Sequence, residues 1–162
     1  MKRREIKEAH ERSVIRSFKR YLKQQDRMLV VLGYPDPPDA RVEIDQQPIW
    51  IEITDAFING DFARSLTSHA ADDLPPVPTE PDGLFVEEVK TVVMKKYEKD
   101  SISDIFHRRG PGILLVGLYS PFVGNRERDL IIQELSHLKN TNDGRFSEIF
   151  VYDQAQHFYP VP

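Results

Sequence analysis

Apolar residues along this chain recur at two spacings, one helical and one strand-like. Within residues 5–25, Ile15, Phe18 and Leu22 stand three and four apart, and Val14 and Tyr21 widen the stripe, which predicts a helix. Glu11 lies four before Ile15 and seven before Phe18, so a carboxylate shares the buried side of that helix. Met28 to Leu32 is an apolar run of strand length, and three prolines between Gly33 and Pro38 stop it. Arg41 to Asp45 then alternates as a half-buried strand does. Gln46-Gln47-Pro48 reads as a turn, and Ile49 to Ile53 as the returning strand. There Ile49, Ile51 and Ile53 share one face, and Trp50, Glu52 and Thr54 share the other. Glu52 and Thr54 therefore point the same way, about 7 Å apart along the strand.

Past this hairpin the pattern becomes helical. Phe57 to Ala71 reads as partly helical. The stretch from Asp72 to Gly83 holds four prolines and four acids and reads as an inserted loop around 72–83. Val89, Val92, Val93 and Tyr97 predict a helix over Leu84–Lys99, and Ile102, Ile105 and Phe106 extend the helical region after a break. Gly110-Pro111-Gly112 ends it. Ile113 to Leu118 is continuously apolar, as a central strand buried on both faces should be. Leu130, Ile131, Leu135 and Leu138 predict a helix over Arg126–Leu138, and Phe150-Val151-Tyr152 is the last predicted strand. The order implies an α/β or α+β fold, a mixed sheet flanked by helices, within one domain over residues 1–162.

Composition narrows the chemistry. The chain has no cysteine, which excludes disulfides, thiolate zinc sites and cysteine nucleophiles. That absence, with no apolar run of spanning length and no secretory h-region, leads us to expect a cytoplasmic protein. Net charge is -4, but unevenly spread. Residues 1–25 carry nine Lys or Arg against three Glu, whereas residues 36–88 carry thirteen Asp or Glu against two Arg. Such a division could set a phosphate-binding face beside a metal site, or be two solvated faces. No Walker A loop, Gly-x-Gly-x-x-Gly or Gly-x-Ser-x-Gly is present, and His10, His69, His107 and His137 show no metal-ligand spacing.

Asp39 and Glu52 are the strongest chemical candidates. A tight antiparallel hairpin can bring two such acids together at one end of a sheet, and paired carboxylates suit a hard divalent cation. Glu11 could reach the same place from the first helix. The structural alternative has Asp39 capping the turn after Pro38 and Glu52 facing solvent beside Trp50.

Pro38-Asp39-Ala40-Arg41-Val42-Glu43-Ile44, followed by Ile49-Trp50-Ile51-Glu52-Ile53-Thr54, resembles the PD-(D/E)XK nuclease superfamily. The resemblance implies a restriction-endonuclease-like fold: a mixed central sheet flanked by helices, with a helix-strand-hairpin-helix-strand core. It covers residues 5–20 and 28–118 in outline. By resemblance, Asp39 and Glu52 would bind Mg2+ or Mn2+, with Glu11, or else Glu8, as the acid of the first helix. The family lysine two residues after the strand acid is replaced here by Thr54, which cannot supply a cation. In some branches of the family the lysine moves to the following helix. Lys90, Lys95, Lys96 and Lys99 are then the candidates, unless all four merely solvate its outer face. We select Lys95, near the middle of the apolar helix and close to Tyr97, with Lys96 pointing elsewhere.

The expected function is therefore metal-dependent cleavage of phosphodiester bonds in DNA, with Asp39, Glu52 and Lys95 catalytic. Arg12, Arg16, Lys19 and Arg20, helped by Lys2, Arg3, Arg4 and Lys23, would contact backbone phosphates. The competing expectation is a non-catalytic interaction or structural protein that keeps this fold. A homodimer with exposed aromatic residues at its face is a further expectation; Trp50 and Phe57 could stack on a base or a partner, or pack in the core or an interface.

Overall fold

A computed structural model describes residues 2–57, 81–120 and 123–162, apart from the side chains of Pro81 and Asp82. Most of the expected helical stretch 57–71, His69, the larger part of the 72–83 insertion and Pro121-Phe122 lie outside the described residues. The elements are α1 (Arg3–Gln24), β1 (Leu29–Gly33), β2 (Ala40–Ile44), β3 (Gln47–Phe57), α2 (Pro81–Glu98), α3 (Asp100–Arg109), β4 (Gly112–Tyr119), α4 (Asn125–Thr141), β5 (Phe146–Tyr152) and β6 (Phe158–Val161). The strands form one mixed sheet in chain order. The pairs β1–β2, β2–β3 and β5–β6 are antiparallel, and β3–β4 and β4–β5 are parallel. Helices flank the sheet, as the alternation of periodicities implies. Among the described residues no helix is long and apolar enough to cross a membrane.

Three boundaries differ from the sequence reading. The hairpin turn is Asp45-Gln46, both at positive φ (51° and 69°), as a two-residue turn matched to strand twist requires. Pro48 is therefore inside β3, opposite Glu43, where β4 has not yet begun to pair. The last residues of the expected insertion, Pro81–Gly83, belong to α2, and proline suits a first helical turn. Strand β6 was not foreseen: it has four residues, Pro160 among them, so its pattern is too short to signal a strand.

Alternation along the strands builds two apolar layers. On one face Ile51, Ile53, Ile113 and Leu115 pack with Val14, Ile15, Phe18 and Leu22 of α1. On the other, Trp50, Leu114 and Val116 pack with Phe85, Val89, Val93 and Tyr97 of α2 and with Ile131 and Leu135 of α4. Each fully buried side chain of this size contributes about 1.5–3 kcal/mol, so these layers hold α1 and α2 firmly over opposite faces. Strand β3 runs between them and pairs on both edges. Residues of even number in its middle face α2, and odd ones face α1.

Trp50 is buried, and its indole Nε1–H donates to the Gly110 carbonyl at 2.9 Å. Gly112 lies against the indole, and a Cβ there would strike the ring at Cδ2. This contact explains why the Gly110-Pro111-Gly112 break needs glycine at its second end. We expect Gly112→Ala to cost about 1–3 kcal/mol in urea unfolding, as overpacking of a close contact does. Gly144→Ala, with open space around the added methyl, should stay within about 0.5 kcal/mol. Similar losses in both variants would refute the packing account.

Candidate functional site

The hairpin register pairs Ala40 with Ile51, so the next position outward sets Asp39 beside Glu52 at the open end of the β2–β3 ladder. The two residues are locked by crossed hydrogen bonds. The Asp39 backbone N–H donates to Glu52 Oε1 at 3.0 Å, and the Ile53 N–H donates to Asp39 Oδ2 at 2.8 Å. Lys96 Nζ of α2 donates to Glu52 Oε2 at 2.8 Å. Glu52 is only 2% exposed and Asp39 7%, so Glu52 does not face solvent. From α1, the Glu11 carboxyl comes within hydrogen-bonding reach of Asp39, and Lys7 Nζ lies 3.5 Å from Glu11 Oε1. Four elements thus bring Glu11, Asp39, Glu52 and Lys96 into one cluster.

Burial and mutual repulsion govern the electrostatics. The Asp39 carboxyl is pushed up to about 6, first by loss of water. The Ile53 N–H opposes that rise, the Glu11 carboxyl adds to it, and Lys96 opposes it again. Burial also raises Glu52, the Asp39 charge adds to the rise, and Lys96 counteracts it. Burial pulls the Lys7 ammonium down, but the combined attraction of Glu11, Asp39 and Asp36 outweighs it and leaves the group raised. Three carboxyls, those of Glu11, Asp39 and Glu52, face two ammonium groups, the half-buried Lys96 and the exposed Lys7.

Lys96, rather than Lys95, is the lysine of α2 that reaches this site; Lys95 is exposed. The reason is helical geometry. At about 100° per residue, Lys96 stands about 60° from Val93 on the buried stripe, whereas Lys95 stands about 160° from it. Arg145 steadies the same turn: its Nη1 donates to the Lys96 carbonyl at 3.3 Å, while its other nitrogens hold Asp143. A wheel anchored on Val89, Val93 and Tyr97 carries this signal in the sequence, so Lys96 could have been chosen there.

The cationic residues of α1 are spread over more than one recess: Arg3, Arg4, Lys7 and Arg12 line the first, and Arg12 and Arg16 line a second. Arg12 lines a cavity of about 740 Å³ together with Lys7, Glu11, Tyr34 and Asp39. Arg16 and Lys19 lie outside that lining, and Arg20 Nη2 donates to Ser17 Oγ at 3.1 Å. Glu8 also lines the cavity but is paired with Arg4 at 3.1 Å, which leaves Glu11 as the acid of α1 next to Asp39.

A second polar group escaped the sequence reading. Asp55, on the α1 face of β3, accepts from the Tyr152 hydroxyl and meets His10 Nε2 at 2.8 Å; the Tyr119 hydroxyl lies 3.4 Å from the same nitrogen. Asp55 adds to the rise that burial alone imposes on the Tyr152 phenol. Gly117 makes room for this network, since a Cβ there would strike Asp55, Tyr119 and Tyr152. Residues at positions 10, 55, 119 and 152 share no local motif, so no pattern in the chain announces them.

Comparison with known protein families, with curated proteins and with solved structures finds no match to this chain. The site is therefore judged on its own chemistry. Among the described residues, no three His, Cys, Asp or Glu side chains are already grouped as around a metal ion. Donor type still fits a hard divalent cation. Asp39, Glu52 and Glu11 offer only carboxylate oxygens, and each carboxylate keeps lone pairs beyond its present partners.

Two expected outcomes test this electrostatic account. A carboxyl with a higher pKa folded than unfolded favours the folded state when protonated, so Asp39 weakens the fold as pH rises from its ordinary 3.8 through about 6. Asp39→Asn keeps an acceptor for Ile53 and removes that cost. In EDTA its stability relative to wild type should grow by about 2 kcal/mol between pH 4.5 and pH 8; a pH-independent difference would count against the assignment. Lys96→Met strands a buried carboxylate and should cost about 3 kcal/mol at pH 8, while Lys95→Met stays within about 0.5 kcal/mol. Comparable losses in thermal or urea unfolding would remove Lys96 from the site.

Proposed function

We propose that this chain is a metal-dependent nuclease that hydrolyses phosphodiester bonds in DNA, with a restriction-endonuclease-like fold of the PD-(D/E)XK kind and Glu-x-Thr on its third strand. The convergence of Glu11, Asp39, Glu52 and Lys96 carries this reading. In it, Lys96 of α2 takes the place of the cation that Thr54 lacks. Asp39, Glu52 and Glu11 would hold Mg2+ or Mn2+, which supplies an activated water and charge stabilisation at the phosphoryl oxygens.

The chain's own residues have separable tasks in this scheme. Asp39 and Glu52 act as carboxylates, so the site gains competence as pH rises past the Asp39 value of about 6. Lys96, held against Glu52, faces the charge that develops during hydrolysis and orients the attacking water. Lys7 and Arg12 line the adjoining cavity, where backbone phosphates would be drawn. A cytoplasmic setting, in keeping with the absence of cysteine, belongs to the same reading.

A non-catalytic interaction protein of the same fold is the second reading. The observation favouring it is the edge strand β1, which among the described residues pairs only with β2, and on and just before which Val30, Leu32 and Met28 are 45%, 49% and 68% exposed. An apolar, unpaired edge of this kind suits addition of another chain, a second copy included.

Cleavage separates the two. Plasmid and linear DNA would be incubated with Mg2+ or Mn2+ and wild type, Asp39→Asn or Glu52→Gln. The expected result is cleavage by wild type, lost in EDTA and reduced at least ~100-fold in both variants. Equal residual cleavage by all three proteins points to a contaminant and ends the nuclease assignment.

A further inference from the structure

The cavity beside the acidic cluster lies between the first three turns of α1 and the segment that follows β1. Its volume of about 740 Å³ falls in the range of sites that enclose small ligands, and matches one or two nucleotides rather than a length of duplex. Glu11 and Asp39 line it on the side of the cluster, and Lys7 and Arg12 supply cations. Tyr34 lines the same space and is 37% exposed. The Arg12 guanidinium sits 4.7 Å from the centre of the Tyr34 ring, which covers one side of it. Lys7 and Arg4 have carboxylate partners in Glu11 and Glu8, but Arg12 pairs with no acid among the described residues. The lining is mixed, with Arg3, Arg4, Lys7 and Arg12 against Glu8, Glu11, Asp36 and Asp39, so it is the aromatic ring backed by a guanidinium without a carboxylate partner that is distinctive. Stacking on an aromatic ring requires a base with a free face, and a base inside a duplex has both faces taken by its neighbours.

We infer that this cavity accepts an unpaired polynucleotide strand, with one base stacked on Tyr34 and the adjoining phosphates on Arg12 and Lys7. The inference rests on the nuclease reading for its orientation, since the strand would then run past Asp39 and Glu52. It makes Tyr34 the residue that selects single strands, frayed ends or flaps over intact duplex. The recognised chemistry, a base face and a phosphodiester, is common to DNA and RNA.

Fluorescence anisotropy in EDTA tests it without cleavage. Fluorescein-labelled dT12, U12 and a 12-base-pair duplex would be titrated with wild type, Tyr34→Ala and Tyr34→Phe. Wild type should bind the better of the two single strands at least ~10-fold tighter than the duplex, and the ranking of dT12 and U12 identifies the natural sugar. Tyr34→Ala should lose about 10-fold in strand affinity with duplex binding within about twofold, and Tyr34→Phe should stay close to wild type because the ring face makes the contact. Duplex binding as tight as strand binding, no binding of either strand, or a strand affinity unmoved by Tyr34→Ala overturns the inference. The two proposals fail separately. Tyr34-dependent strand binding by a protein that cleaves nothing in Mg2+ upholds the strand site and ends the nuclease reading. Duplex cleavage without strand preference does the reverse.

Discussion

A buried carboxylate on the central strand organises this molecule. Glu52 sits in β3 with strands on both edges and helices over both faces, where an isolated charge would cost several kcal/mol. It is retained because one oxygen accepts the Asp39 N–H and the other accepts Lys96 Nζ. Those two bonds fix the start of β2 and the register of α2 against the sheet. Arg145, bound to the Lys96 carbonyl, extends the same constraint to the segment before β5. Remove the lysine and the hairpin end carries uncompensated charge; keep it, and three elements are held around one side chain.

Helix α1 supplies the other half of the arrangement. Its apolar stripe is seated on the face of the sheet opposite α2, yet Glu11 reaches Asp39 and His10 reaches Asp55. Two adjacent residues of one helix thus meet two acids, one just before β2 and one on β3. The resulting acidic surplus works against stability at neutral pH, since Asp39 is held near 6 by burial and by Glu11. Groups kept at such cost in a recess are commonly those with a chemical task, which is the physical ground for reading the cluster as a site.

Much of the fold was legible because its signals are local. The stripe of Ile15, Phe18 and Leu22, the alternation in β2 and β3, and the unbroken apolar run of β4 each show their period within a few residues. The separation of Trp50 and Glu52 from Ile51 and Ile53 followed from strand geometry alone. Signals failed where they were short or shared. The turn at Asp45-Gln46 depends on two positive φ values that no residue type there demanded, and β6 spans too few residues to show alternation. Proximity to Tyr97 along the chain points to Lys95, whereas the helical angle from Val93 points to Lys96.

By itself the sequence determined the order of helices and strands as far as β5, which face of β3 carries Glu52, and which acids were available at the hairpin end. These depend on periodicity, and periodicity is written in neighbouring residues. The tertiary structure decided which lysine meets Glu52, which α1 cations line the cavity, and that His10, Asp55, Tyr119 and Tyr152 form one network. Each of those choices joins residues 44 to 109 positions apart or turns on how a helix is seated. A rotation of one residue about the axis of α2 would exchange one lysine for another, and only packing against the sheet fixes that rotation.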